Sequence, residues 1–152
     1  MIKTRGSMIW TALLFLAMAV CPLAHAQQQY CSNALLRGSF AVVITGQTGV
    51  GPTAPGGPNP VPRSGVSMTQ FDGLGGVTDV DHIVGNGAQP STDWRSGTGT
   101  YTVNSDCTGM FTVNFAAGPP LVVFFVVGNG GNAFRGAVGA PGANVTADGI
   151  KL

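Results

Sequence analysis

The run Asp79-Val80-Asp81-His82 sets two carboxylates beside the only histidine that follows residue 26. Aspartate and histidine together can supply metal ligands or a proton-transfer pair. On an extended strand, however, alternate side chains point to opposite faces. His82 then shares a face with Val80 and Val84, while Asp79 and Asp81 point the other way. That division opposes a compact metal site built from these neighbours. A lone strand histidine without convergent groups reads as structural. The sharper alternative puts His82, Arg95 and Tyr101 inside a cavity as polar anchors for a ligand. Arg95 and Tyr101 share strand parity, and the register of His82 against them stays open.

Other chemistry finds no support. The chain has no GxSxG elbow, HExxH pair, Walker A loop or complete GxGxxG. Asp79 and Asp81 lack the glycine and closing glutamate of a calcium loop. No catalytic residue, metal or cofactor is therefore expected.

The elements that would position these residues read as strands. Around a polar turn at Asn104-Ser105-Asp106-Cys107-Thr108-Gly109, two runs alternate: Tyr101 and Val103 on one face, then Phe111, Val113 and Phe115. This period of two, rich in valine, threonine and aromatic residues, predicts a β-hairpin over 97–115. The turn also supplies Gly109, a residue that can take positive φ. Further strands are expected at 38–45, 64–71, 76–84, 94–103, 110–115, 121–127, 132–138 and 144–152. Eight short strands with no sustained helical period predict an all-β fold. A single antiparallel up-and-down barrel is favoured because closure leaves no unpaired edge, with a β-sandwich as the alternative.

At the amino terminus, Lys3 and Arg5 precede an apolar run at 8–20, and Pro22 breaks it before Ala24-His25-Ala26. This reads as a signal peptide over 1–26, because a spanning helix needs ~20 apolar residues. A lipoprotein reading through Cys21 is opposed by Val20, where a small residue is wanted. The expected mature domain is 27–152, exported to the periplasm or beyond, with no membrane association after cleavage. It keeps five basic residues and six aspartates, a net charge of −1 and no footprint for nucleic acid. It also keeps two cysteines, Cys31 and Cys107, which in an exported chain most simply form one bridge.

Three segments of this chain carry a resemblance. Cys31-Ser32-Asn33-Ala34-Leu35-Leu36-Arg37-Gly38-Ser39-Phe40, Phe71-Asp72-Gly73 with its glycine-rich turn, and Gly99-Thr100-Tyr101-Thr102-Val103-Asn104-Ser105-Asp106-Cys107-Thr108-Gly109 resemble signatures of uncharacterised exported bacterial proteins. The resemblance covers about residues 31–127 and implies a bacterial source. It also implies a small calycin-like barrel, akin to lipocalins or allene oxide cyclases. No catalytic or ligand residue of those named families finds a match here, so none is carried over. The closing segment 128–152 departs through its glycine and alanine content.

Two segments remain as places for function. Residues 49–62 hold five prolines and read as a solvated loop or as a flap over a barrel mouth. Residues 121–127, Leu-Val-Val-Phe-Phe-Val-Val, are apolar on both faces. In a single-layer wall one face meets the interior, and the other needs cover, for which a homo-oligomer contact is the favoured reading. The alternative is a central strand buried on both sides. Three functions follow in rank. First is a barrel that binds a small apolar or amphipathic ligand. Second is a structural or surface-interaction protein with a filled barrel. Last is an enzyme of the cyclase or isomerase kind.

Overall fold

The structure is a computed structural model that describes residues 30–51, 59–88 and 93–152. The expected signal peptide at 1–26 lies outside the described residues, as does the middle of the proline-rich segment, 52–58. Eight strands follow in order: β1 Gly38–Thr48, β2 Val61–Phe71, β3 Gly76–Gly85, β4 Arg95–Val103, β5 Thr108–Phe115, β6 Leu121–Gly128, β7 Ala133–Val138 and β8 Ala143–Lys151. Each pairs antiparallel with the next, and β8 returns to β1, giving a closed up-and-down barrel. The expected fold class is thus the observed one, and the sandwich falls away.

Element ends moved where cross-strand partners extend a ladder. β1 runs on to Thr48 and β2 starts at Val61, because Thr48 pairs with Val61 and Gln47 with Pro62. A proline without an N–H is tolerated at a strand's beginning. In the β4–β5 hairpin the left-handed residue is Cys107, with φ 69°, and not Gly109. Asp106 supports that turn by accepting hydrogen bonds from the Thr108 N–H and hydroxyl. Gly109 is needed for space instead, since a Cβ there would lie 2.4 Å from the Phe125 ring.

The two halves of the lumen are filled differently. At one end Phe40, Phe71, Phe111, Phe125 and Phe134 pack edge-on or tilted, with centroids 5.5 to 6.1 Å apart. Such arrangements suit aromatic quadrupoles. A short helical turn, Asn33–Leu36, closes this end by burying Leu36 completely. It is held by the Cys31–Cys107 disulfide and by Asn33, whose Oδ1 accepts from the Val103 N–H at 2.7 Å. Among the described residues no such packing fills the opposite end, and there the chemistry lies.

Candidate functional site

The open end encloses a cavity of about 890 Å³. Its polar wall comes from three adjacent strands in register. Thr69, Asp79 and Gly97 stand side by side on β2, β3 and β4, and Ser67, Asp81 and Arg95 form the next row toward the mouth. The facing wall is apolar, formed by Val42, Ile44, Phe111, Val123, Val145 and Ala147.

Asp81, 1% exposed, accepts two hydrogen bonds from Arg95, Nε to Oδ1 at 3.0 Å and Nη2 to Oδ2 at 2.7 Å. The guanidinium also lies over the Phe115 ring, 3.8 Å from its centroid. This fork-on-fork pair pushes the already high Arg95 pKa further up and fixes the side chain in place. Asp79 has no such cation of its own. Buried to 3% exposure, it accepts a hydrogen bond on Oδ1 from the Thr69 hydroxyl, itself bonded to Ser67. Desolvation raises its pKa above the usual carboxylate range, and the neighbouring Asp81 charge adds to the rise. The Thr69 and Ser67 hydroxyls pull in the other direction. Two carboxylates in such unlike surroundings can hold a cationic group or pass a proton.

The three anchors expected from sequence are dispersed. Arg95 does line the cavity. His82 lies on the outer parity of β3, donates from Nδ1 to the Asp93 carbonyl oxygen, and reaches only the rim, beside Trp94. Tyr101 belongs to the packed end: its hydroxyl donates to the Asn33 carbonyl oxygen at 2.9 Å and its ring meets Phe71. Burial raises its pKa.

Asp79, Asp81, Ser67 and Thr69 were missed as site residues. The available signal was Phe71: if its ring is core, parity along β2 sends Thr69 and Ser67 inward as well. No equivalent signal exists on β3, where Val77 and Ile83 share parity with the aspartates, and Val80 and Val84 share it with His82. Among the described residues, no group of three histidine, cysteine, aspartate or glutamate side chains is placed to hold a metal ion. Comparison with protein-family models, curated proteins and solved structures found no match to this chain.

Proposed function

We propose that this chain is an exported barrel that takes a small apolar or amphipathic molecule into its open end. The observation that carries the reading is the cavity itself: an apolar wall faces a polar one across about 890 Å³. That volume lies within the ~300–1,000 Å³ of pockets for small ligands. A barrel filled throughout by its own side chains fits the packed end alone. Export is supported by the Cys31–Cys107 bridge, since such bonds persist in oxidising compartments. Kinship with calycin-like bacterial barrels is supported by the three sequence signatures and by the up-and-down closure.

Fluorescence titration with N-phenylnaphthylamine, a neutral probe, tests the binding. Saturable uptake of one probe per barrel is expected, weakened at least ~10-fold by Ala147→Phe, whose ring would occupy the lumen. Absence of saturable uptake, or equal uptake by a folded Ala147→Phe protein, removes the reading.

A second reading concerns the outer wall. On β6, Leu121, Val123, Phe125 and Val127 point inward, whereas Phe124 and Val126 are 54% and 55% exposed outside. Met110, paired to Phe124, extends that apolar patch. The patch supports a homo-oligomer contact through residues 121–127. Light scattering after size exclusion should show a dimer or larger assembly that Phe124→Glu disperses, and a monomer at every concentration would end the proposal.

A further inference from the structure

We infer that Asp79 anchors a protonated nitrogen, so that the lumen selects small amphipathic amines. The inference rests on the binding reading above and deepens it. The charges facing Asp79 are few: Asp81 on its own strand, Arg95 on β4, and Arg63 at the rim on β2, with His82 outside the wall. Arg95 is committed to Asp81 by two hydrogen bonds, and Arg63 Nε donates to Thr48 Oγ1 at 3.0 Å. Asp79 is left as the carboxyl whose partners are neutral hydroxyls, Thr69 donating to Oδ1 and Ser67 standing beside it. Thr69 donates to Asp79, which is the arrangement that favours a carboxylate as acceptor.

A ligand entering beside Asp79 meets this carboxyl on one side and the apolar wall on the other. A protonated amine gives Asp79 the hydrogen-bonded cation that Arg95, bonded to Asp81, does not supply, and a charge-assisted hydrogen bond in a site shielded from water exceeds a neutral one. Its hydrocarbon or aromatic body packs against Val42, Ile44, Val123 and Val145. A neutral alcohol of equal shape gains the packing but not the charge. An anionic amphiphile can reach only Arg95 and Arg63 and must pass two buried aspartates.

Calorimetry with the bridged protein and three probes tests this: naphthylethylamine, naphthylethanol and naphthylacetate. At neutral pH the amine is expected to bind ~10-fold or more tightly than the other two, the order of one hydrogen bond to a charged group. Asp79→Asn should bring amine and alcohol to similar affinity. An amine no tighter than the alcohol, a preference that survives Asp79→Asn, or the acetate as tightest binder overturns the inference while leaving the binding reading intact. Failure of all three probes to bind removes both. Should the variant not fold, the pH dependence of the unaltered protein decides. Asp79 takes up a proton earlier than an ordinary carboxylate as pH falls. The amine's advantage must therefore shrink on acidification, before an ordinary carboxylate would titrate, and an advantage that does not fall as Asp79 is protonated overturns the inference.

Discussion

Replacing Phe134 by alanine will lower the free energy of unfolding by about 4 kcal/mol, near the middle of the range for a buried aromatic ring. Phe134 is 1% exposed and touches four rings, with centroids 5.7 Å from Phe40, 6.0 Å from Phe71, 6.1 Å from Phe111 and 5.8 Å from Phe125. It is the hub of the packed end. The residue across from it is Gly149, where a Cβ would lie only 2.3 Å from the ring. Glycine has no side chain to move into the space the ring vacates. The closed ladder of backbone hydrogen bonds resists collapse as well, so a cavity would persist and its cost would add to the lost transfer energy. Urea denaturation followed by circular dichroism measures the loss. A decrease below about 1 kcal/mol would show that this cluster does not hold the fold.

The double variant Cys31→Ser, Cys107→Ser will lose a comparable amount, about 4 kcal/mol, through the unfolded state. The bridge joins residues 76 positions apart, with Cα atoms 4.9 Å from each other. Cutting it frees a long loop in the unfolded chain, whose added entropy is the source of the loss. In the folded protein the helical turn Asn33–Leu36 keeps its noncovalent ties, namely buried Leu36 and the bonds of Asn33 to Tyr101 and Val103. The native lumen should therefore survive, and probe uptake with it. Urea midpoints of the wild-type protein with and without reductant supply the measurement. The reduced protein should match the double variant, and a midpoint indifferent to reductant would rule out a stabilising bridge.

Much of this barrel was legible from residue order because a strand's period of two is a local property. The hairpin of β4 and β5, the two-faced run of β6 and the pairing of the last two cysteines needed no long-range information. Ends were less legible. Whether Val61 and Pro62 belong to a loop or to β2 depends on Thr48 and Gln47 across the ladder. Likewise, the need for glycine at 109 depends on Phe125, a β6 residue whose ring leaves no room for a Cβ there.

The site was less legible than the fold, and the reason is physical. Sequence reading sends apolar side chains inward, yet β2 and β3 do the reverse near the open end. Ser67, Thr69, Asp79 and Asp81 face the lumen there, while Val66 and Met68 are exposed outside. Residue order by itself determined the number of strands, their antiparallel succession and the split of β3 into two faces. Only the tertiary structure decided which face is inside. The register of β2, β3 and β4 brings Arg95 across from Asp81 and sets Thr69 beside Asp79, and hydrogen bonds then make it possible to bury polar groups that an isolated strand would leave in water.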